Sequence, residues 1–445
     1  MKTTFKKIIV SILKIESRLI LWKYKPKVVA ITGSVGKTST KDAVYAVLSG
    51  IAYVRKSEKS YNSEIGLPLT ILGCPNGWNN PYVWFQNILK GFWLFVAPHK
   101  YPEWLVLEVG IGKPDDMKQT ASWLKTDAVI MTTIGETPVH IEFFKSRDHL
   151  IEEKSQLIKT LKKDGLLVLN ADDEAILEMK IKSKNRIITY GFKEGADVLG
   201  SADSIFYSDS NSNAPTQQGE PQGIIFRVDE GGKSLPVIIE GVFGRNHVYA
   251  SLASLALSFG LKFNILNAIN ALKNYDVPPG RMRLLKGINN SLIIDDTYNS
   301  SPFACESALK TLGEVNPTHM GEIIGRKIAV LGDMLELGKH TEEAHKNIGK
   351  IAKENAEILI VVGPRAKAIK EGALLEGMNE KNIFELLNSR ETGDFLKVFA
   401  QAGDLILVKG SQGMRMERAV EAILLDQKNK EKLLVRQDPE WIAKA

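Results

Sequence analysis

The sequence has few cysteines and no long uninterrupted hydrophobic run. Its 445 residues include only Cys74 and Cys305, which stand far apart and without the spacing of metal ligands. A disulfide framework and a cysteine-based zinc site are therefore excluded, and we predict a cytoplasmic location, where thiols stay reduced. The apolar runs near the N-terminus are short and interrupted by lysines, and no small-residue cleavage site follows them. We therefore predict neither a transmembrane helix nor a secretion signal.

A strong excess of charge of one sign is also missing. The formal net charge is +6, from 58 basic and 52 acidic residues. This balance lacks the concentrated basic face of a nucleic-acid-binding protein, so we expect no nucleic-acid partner. The hydrophobic content of 44% is that of an ordinary globular protein, and the length predicts two or three domains. We find no internal repeat.

Two segments combine aromatic or apolar residues with basic ones. In residues 1–27, apolar positions recur at near-helical spacing among lysines and Arg18, which predicts a basic amphipathic helix. This helix either packs on its own domain or lies on a membrane surface. Residues 76–104 hold four of the seven tryptophans and predict a hydrophobic helical hairpin. Residues 1–24 and 78–104 together form a candidate peripheral membrane contact.

The strongest chemical motif is the block of residues 30–41, Ala-Ile-Thr-Gly-Ser-Val-Gly-Lys-Thr-Ser-Thr-Lys. It predicts a buried strand, a phosphate-binding loop and a helix, with Lys37 on the outer phosphates and the Thr38 hydroxyl on Mg²⁺. The usual spacing would need glycine at Ile31, so the loop is a shorter variant. The predicted ATP-binding residues of the loop are Gly33, Ser34, Val35, Gly36, Lys37, Thr38 and Ser39.

The predicted fold class is α/β. Apolar strands at 105–110, 128–135 and 165–173 alternate with helices, which predicts a mainly parallel sheet covered on both faces. A β-rich extension follows at 187–239, with a surface loop around 208–218. We predict an N-terminal helix at 1–27, a central P-loop ATPase-type domain at 28–278 and a smaller Rossmann-like domain at 279–445.

Further candidate residues follow strands or lie in the C-terminal half. Glu108 and His140 each come after a strand of the predicted central sheet, within reach of a Mg²⁺ at Thr38. For His140 a purely structural role remains an alternative. The C-terminal half offers candidates that would close a cleft over the nucleotide or a second substrate, namely Arg281, Asp295, Asp296, Asn299 and Lys409.

These motifs, in this order, resemble the ATP-dependent Mur ligases from about residue 28 to about residue 422. The most specific blocks, Asp-Asp-Thr-Tyr-Asn at 295–299 and Leu-Gly-Asp-Met at 331–334, favour the dipeptide-adding members. The other matching blocks lie at 32–39, 62–68, 108–110, 140–144 with Lys154, 280–281 and 408–417.

The resemblance implies roles for individual residues. Lys37 would bind the β and γ phosphates, Thr38 and Glu108 would hold one Mg²⁺, and His140 would serve a second one. Lys154 would correspond to the family's carbamylated lysine, which joins Lys37 and His140 as the implied catalytic residues. The resemblance also implies nucleotide contacts of Asn246, His247, Arg281 and Asp296, and substrate contacts of Asn62, Asn299 and Lys409.

The implied substrates are UDP-N-acetylmuramoyl-tripeptide, D-alanyl-D-alanine and ATP. The implied reaction joins the tripeptide to the dipeptide through an acyl phosphate, and we expect the enzyme to be a monomer. Three departures from the family pattern stand out. Only about 30 residues precede the phosphate loop, where the family has a UDP-binding domain. Asn246-His247 replaces the order His-Asn, with Ala250 in place of a later Asn, and Gln156 replaces a frequent Glu.

Two other functions remain open on the sequence. One is a sibling ligase that adds a different amino acid to another carboxylate. The second is a membrane-associated ATP-binding scaffold, which the basic N-terminal helix and the aromatic segment suggest.

Overall fold

The computed structural model describes residues 3–58, 61–135, 141–208, 219–317, 319–320 and 323–443. His140 and most of the surface loop predicted around 208–218 lie outside these residues. Within them the chain forms two large sheets and one two-stranded pair.

The first sheet has nine strands. Its strands are β1 Lys27–Thr32, β2 Val54–Lys56, β3 Trp104–Glu108, β4 Thr126–Met131, β5 Leu161–Asn170, β6 Arg186–Gly191, β7 Val198–Tyr207, β8 Pro221–Glu230 and β9 Lys233–Glu240. In space they run in the order β2-β3-β1-β4-β5-β6-β7-β8-β9. Neighbours are parallel from β2 to β7, and the last two pairings, β7–β8 and β8–β9, are antiparallel. The antiparallel part corresponds to the predicted β-rich extension.

Strand β1 lies in the interior of this sheet, between β3 and β4. All its residues except Lys27 are buried, as a near-continuous apolar run predicts for a parallel strand. Ile31 pairs with Glu108 on one side and with Ile130 on the other. The carboxyl ends of three strands therefore meet where the phosphate-binding loop begins.

Helices cover both faces of the first sheet. They are α1 Thr3–Tyr24, α2 Lys37–Ser49, α3 Gly66–Leu72, α4 Pro81–Val96, α5 Asp116–Ala121, α6 Arg147–Ser155, α7 Glu174–Leu177, α8 Arg245–Gly260 and α9 Ile265–Leu272, with 3₁₀ turns at Ile141–Phe143, Gln156–Thr160 and Glu178–Lys182. Val29 and Ile31 share one core with α2 and α8, whereas Val28 and Ala30 share the opposite core with α1, α3 and α4. The predicted mainly parallel sheet with two covered faces is confirmed.

Helix α1 packs on the central region. Ile9, Leu13 and Ile20 are buried in the same core as the sheet, so the first of the two interpretations of this segment describes its inner face. The Lys23 Nζ donates to the carbonyls of Leu94, Phe95 and Ala97 at 2.6–2.9 Å, which ties α1 to the end of α4. Among the described residues none of the helices is long and apolar enough to cross a membrane.

The predicted helical hairpin at 76–104 is wrong. This segment contains one helix, α4, capped by the Asn80 side chain, which accepts from the amides of Tyr82 and Val83. Trp104 belongs instead to β3, because the apolar run that begins there is buried between β1 and β2.

The second sheet has six strands. They are β10 Arg283–Lys286, β11 Leu292–Asp296, β14 Lys327–Gly332, β15 Ile358–Val362, β16 Ile383–Leu386 and β17 Leu405–Lys409, while β12 His319–Met320 and β13 Ile323–Ile324 form the separate pair. The order is β10-β11-β17-β14-β15-β16, with only β10 antiparallel to its neighbour. This is the smaller Rossmann-like unit that the sequence predicted.

The helices of this part lie between its strands. They are α10 Pro302–Glu314, α11 Thr341–Asn355, α12 Lys367–Leu375, α13 Ser389–Phe399, α14 Glu417–Ile423, α15 Lys430–Leu433 and α16 Pro439–Ile442, with 3₁₀ turns at Ile288–Asn290, Gly338–His340, Glu380–Asn382, Gln412–Met414 and Gln427–Asn429. The two sheets meet at a backbone crossing: Phe243 N donates to Met282 O at 3.0 Å, and Leu284 N donates to Gly241 O at 3.0 Å. The chain changes sheets between Glu240 and Arg283, a stretch that contains the predicted boundary at 278.

Candidate nucleotide and metal site

The loop between β1 and α2 requires both of its glycines. Gly33 has φ 152° and Gly36 has φ 86°, and both values favour glycine. A Cβ on Gly33 would also lie 1.9 Å from the Thr132 Oγ1 at the end of β4. That hydroxyl is within 3.1 Å of the Thr32 carbonyl and 2.7 Å of the Val35 carbonyl, so the loop is held against the sheet.

The backbone amides of two predicted ATP-binding residues are bonded within the protein. The Ser34 and Val35 amides donate to the Thr133 carbonyl at 2.7 and 3.0 Å. The predicted ATP contacts of Ser34 and Val35 therefore stay a prediction that does not depend on these two amides. The first-turn amides of α2 have no intrahelical acceptor and are therefore available to bind phosphate. The Ser34 Oγ is buried without a partner and can donate to the same ligand.

The amine of Lys37 folds back over its own loop. Its Nζ donates to the carbonyls of Gly33 at 2.9 Å and Ser34 at 3.2 Å. Burial lowers the pKa of Lys37 most, nearby Glu108 opposes this effect, and Arg281 lowers the pKa further. An anion in the loop would stabilise the charged form of Lys37, as the predicted role on the outer phosphates requires.

A second lysine approaches the same carbonyl. Lys154, in the last turn of α6, is buried, and its Nζ also donates to Gly33 O at 2.9 Å. Burial and the nearby Lys37 set the pKa of Lys154 well below its usual value. The fold therefore brings the two predicted lysines together and favours a neutral amine at Lys154.

Glu108 ends β3 beside the loop. The carboxylate is buried, its Oε1 accepts from the Asn62 side chain at 3.0 Å, and its Oε2 has no hydrogen-bond partner. A buried oxygen without a partner is costly unless a ligand satisfies it. Together with the Thr38 hydroxyl it provides the hard oxygen ligands that Mg²⁺ prefers.

The metal ligands supplied by the chain are few. Within the described residues no group of three or more His, Cys, Asp or Glu side chains could hold a metal ion. In phosphate sites Mg²⁺ is commonly held by one or two protein oxygens and otherwise by phosphates and water. His140 lies outside the described residues, so its predicted metal contact stays a prediction.

Arg281 connects the two sheets at the loop. Its Nη2 lies 3.4 Å from the Thr38 Oγ1, and its guanidinium stacks 3.9 Å from the centre of the Tyr298 ring. The Nε of Arg281 is buried without a partner. The residue predicted to reach the nucleotide from the C-terminal half is thus at the phosphate-binding loop.

His247 positions Arg281. Its Nε2 lies 2.7 Å from the Arg281 carbonyl and its Nδ1 lies 2.8 Å from the Tyr275 hydroxyl. Burial lowers the pKa of His247 to about 4, so the ring is neutral, with Nε2 donating to the carbonyl and Nδ1 accepting from Tyr275. Both ring nitrogens are thus engaged within the protein, and the predicted nucleotide contact of His247 stays a prediction beside this positioning role.

Asp296 and Lys409 lie at the carboxyl ends of neighbouring strands β11 and β17. The buried Lys409 Nζ donates to Asp296 Oδ2 at 2.6 Å and to the Asn299 carbonyl at 3.1 Å. The other Asp296 oxygen accepts from the Met282 amide at 3.3 Å. Lys409 therefore supports the segment that carries Arg281, and its predicted substrate contact stays a prediction.

Asp295 and Asn299 also hold backbone in place. Asp295 accepts from the Gly280 amide and from the Thr297 amide and hydroxyl. The Asn299 Oδ1 accepts from the Gln412 amide at 3.3 Å, so its predicted role in substrate binding stays a prediction.

A cleft of about 720 Å³ begins at Thr133, whose carbonyl holds the loop. Its lining includes Asn170 and Tyr249 of the central region and Phe303 of α10, so it opens between the two parts of the chain. A neighbouring cavity of about 420 Å³ also borders Tyr249 and Phe303 and includes Asn246. The position of Asn246 is compatible with its predicted nucleotide contact.

Sequence reasoning missed several supporting residues. Thr133, Tyr275 and Tyr298 contact predicted site residues, and Tyr298 stands inside the Asp-Asp-Thr-Tyr-Asn block that was already recognised. Arg436 donates to the carbonyls of Thr297 and Tyr298 from the C-terminal tail, where no sequence pattern marks it.

Comparison with known proteins identifies the family. The model of the Mur ligase middle domain matches residues 31–84 and 86–258, and that of the Mur ligase, glutamate ligase domain matches residues 280–412. The chain is 29% identical to UDP-N-acetylmuramoyl-tripeptide--D-alanyl-D-alanine ligase of Bacillus subtilis over 89% of this chain and 76% of that protein. It is 26% identical to the Escherichia coli protein of the same name, with the same shares covered.

Solved structures give a similar result. The crystal structure of MurF ligase from Thermotoga maritima in complex with ADP superposes with a TM-score of 0.73 at 26% identity, covering 95% of this chain and 84% of that one. A pseudomurein peptide ligase type C from Methanothermus fervidus shares the fold, with a TM-score of 0.59 at 19% identity over 90% of this chain and 80% of that one.

Proposed function

The chain belongs to the Mur ligase family, and from this premise we propose that it joins D-alanyl-D-alanine to UDP-N-acetylmuramoyl-tripeptide with conversion of ATP to ADP and phosphate. The observation that supports this most is the convergence of Lys37, Lys154, Glu108 and Arg281 on one phosphate-binding loop. A scaffold would not need this arrangement.

In the first step a carboxylate oxygen of the tripeptide attacks the γ-phosphorus of ATP. The bond from that phosphorus to the oxygen of ADP breaks, which gives an acyl phosphate and ADP. Lys37 and the first-turn amides of α2 stabilise the negative charge on the transferring group. Arg281 adds a second cation from the other sheet, beside Thr38.

Thr38 and Glu108 would hold Mg²⁺, and the unpartnered Glu108 Oε2 supports this assignment. When bound, Mg²⁺ supplies positive charge next to the phosphate oxygens. Asn62 fixes the other carboxylate oxygen, so the carboxylate keeps one orientation. We assign Asn62 this positioning role in addition to the predicted substrate contact.

We propose that the amine of Lys154 is carbamylated. A neutral amine adds to carbon dioxide, forming a new N–C bond and releasing one proton, and the product is an anionic carbamate. Burial and the proximity of Lys37 favour the neutral amine that this reaction needs. The carbamate would place a negative charge beside Lys37 and would retain an N–H for the Gly33 carbonyl.

In the second step the amine of D-alanyl-D-alanine attacks the acyl carbon. The C–N bond forms, the amine loses a proton and phosphate leaves from the tetrahedral adduct. The cleft between the two parts of the chain would exclude water from the acyl phosphate when the parts close.

We assign the enzyme to the cytoplasm as a monomer. Cys74 and Cys305 are both buried free thiols, which supports a reducing compartment. A predicted peripheral membrane contact of residues 1–24 and 78–104 is independent of the reaction, because the described residues of α1 and α4 contribute none of the site contacts above.

Phosphate release from the purified protein tests the function. Release should require ATP, Mg²⁺, the UDP-linked tripeptide and D-alanyl-D-alanine together, and mass spectrometry should find the tripeptide extended by the dipeptide. The assay should be run with tripeptides that end in lysine and in diaminopimelate. Undiminished release without the dipeptide would contradict the proposal, and product formation with a single amino acid in its place would favour the sibling ligase.

A further inference from the structure

One face of the molecule exposes a row of large apolar side chains on α4. They are Tyr82, Phe85, Leu89, Phe92, Trp93 and Val96. Their spacing of three, four or seven residues, with Trp93 adjacent to Phe92, places them on one side of the helix. Trp84, Asn87 and Gly91 on the opposite side are buried. The outer side of α4 therefore carries apolar side chains that are typical of a protein core, although it is exposed to solvent.

Helix α1 continues this surface. Ile8, Ile15, Leu19 and Trp22 are exposed, with Trp22 70% accessible. With about 100° of rotation per residue, this row lies next to the side of α1 that carries Glu16 and Lys23. Both of these residues contact α4, Glu16 at Gly91 and Lys23 at the last carbonyls. We call the ten exposed apolar residues of α1 and α4 the α1–α4 face.

Cations border the α1–α4 face. Lys7 and Arg18 are exposed on the flank of α1 that points away from α4, and Lys90 is exposed on α4. In residues 1–27 and 81–100 the sequence holds one acidic residue, Glu16, against ten lysines and arginines. Glu16 has a buried carboxylate oxygen without a hydrogen-bond partner. Within these two segments the exposed charge is thus predominantly basic, and the exposed Glu64 from outside them pairs with Lys6 at 2.7 Å.

We propose that the α1–α4 face binds the surface of an anionic lipid bilayer, with its aromatic side chains in the interfacial layer and its flanking cations at the headgroups. Tryptophan and tyrosine favour this layer, and an apolar helix side with basic flanks is the pattern of interfacial helices. A second copy of the chain is a poorer occupant, because pairing two such faces would bring their basic flanks together.

Co-sedimentation with vesicles tests the proposal. The full-length protein should bind vesicles that contain phosphatidylglycerol and phosphatidylcholine, and should bind vesicles of phosphatidylcholine alone much more weakly. Lys7→Gln and Arg18→Gln should each weaken binding about fivefold, and high salt should weaken it as well. Absence of binding to the anionic vesicles would overturn the proposal.

Apolar variants have a matched control. Phe92→Ser with Trp93→Ser should weaken binding at least about tenfold, because two inserted rings are lost. The control pair is Leu387→Ser with Val398→Ser, which removes two apolar side chains of the C-terminal unit that are even more exposed than Phe92 and Trp93. Equal binding by the two pairs of variants would overturn the proposal. Thermal unfolding and phosphate release with water-soluble substrates should be unchanged in both, which separates this test from that of the ligase activity.

Sedimentation velocity tests whether a second copy of the chain occupies the α1–α4 face instead. The protein should remain a monomer at micromolar concentration without lipid. A dimer that Phe92→Ser with Trp93→Ser abolishes, combined with no vesicle binding, would assign the face to a second copy and overturn the proposal.

Discussion

The phosphate-loop site and the α1–α4 face place side chains in opposite environments. At the loop, the amine of Lys154 and the carboxylate of Glu108 are buried, where charge is unfavourable. On the α1–α4 face, Phe92 and Trp93 are more than half exposed, where apolar surface is unfavourable. Both arrangements lower the stability of the fold. A bound ligand of matching chemistry would offset this cost in each region.

The two regions differ in how tightly their side chains are held. Around the loop, the partly buried Asn62 and the buried His247 and Lys409 each fix a neighbour through a hydrogen bond. The exposed rings of α4 have no such network, and only the helix beneath them is anchored through Lys23. A site for phosphoryl transfer needs fixed geometry, whereas an interfacial surface needs area and charge.

Lys37→Ala should have the largest effect. Removing the cation that stabilises the transferring phosphoryl group should lower phosphate release about 1,000-fold, as measured under saturating substrates. Vesicle binding should be unchanged, because the loop and the α1–α4 face are separate. Retained activity would show that the loop is not the reaction centre.

Lys154→Ala should lower activity about 100-fold, because the proposed carbamate would be a positioned charge next to Lys37. Added acetate or propionate should partly restore the rate by placing a carboxylate in the vacated space. In the wild-type protein, labelled carbon dioxide should give a carbamate carbon signal by NMR that the variant lacks. The control is Lys159→Ala, which changes an exposed lysine in the next turn and should have wild-type activity.

Tyr298→Leu should have a moderate effect. It removes the ring on which Arg281 stacks, a contact of about 1 kcal/mol, so the KM for ATP should rise about fivefold. Tyr298→Phe keeps the ring and should leave the KM unchanged. A similar rise in both variants would point to the hydroxyl instead of the stacking.

Glu16→Gln, which changes a residue beneath the α1–α4 face, should have the smallest effect. Burial raises the pKa of Glu16 to about 7 from an ordinary value of 4.5, so the folded state favours the protonated form. The contribution of Glu16 to stability therefore falls as the pH rises from 4.5 to 7. The variant should remove this fall and raise the Tm by about 1 °C at pH 8, because the carboxyl is only half-buried. A lower Tm for the variant at pH 8 would contradict this assignment.

Much of the site could be predicted because its residues stand at the ends of apolar strands. Glu108 ends β3 and Asp296 ends β11, and parallel strands bring such ends to one edge of a sheet. The hairpin expected at 76–104 failed for a different reason. Aromatic content alone does not separate a helix from the strand that begins at Trp104, since both bury apolar side chains.

Roles within the site were harder to predict than its members. His247 and Lys409 were expected to touch ligands, yet both are buried and hold the segment around Arg281. Sequence shows that a side chain can donate or accept, but not which neighbour satisfies it. Arg436 reaches the Thr297 and Tyr298 carbonyls from well over a hundred residues away, which no local pattern records.

The sequence by itself determined the phosphate-binding loop, the two α/β units and the family resemblance, because these depend on local spacing and on the order of motifs. Only the tertiary structure decided that Lys37 and Lys154 share the Gly33 carbonyl and that Arg281 reaches Thr38 from the other sheet. It also decided which side of α1 and α4 faces outward. Those features depend on packing between distant segments, where burial and hydrogen-bond partners are set by the whole fold.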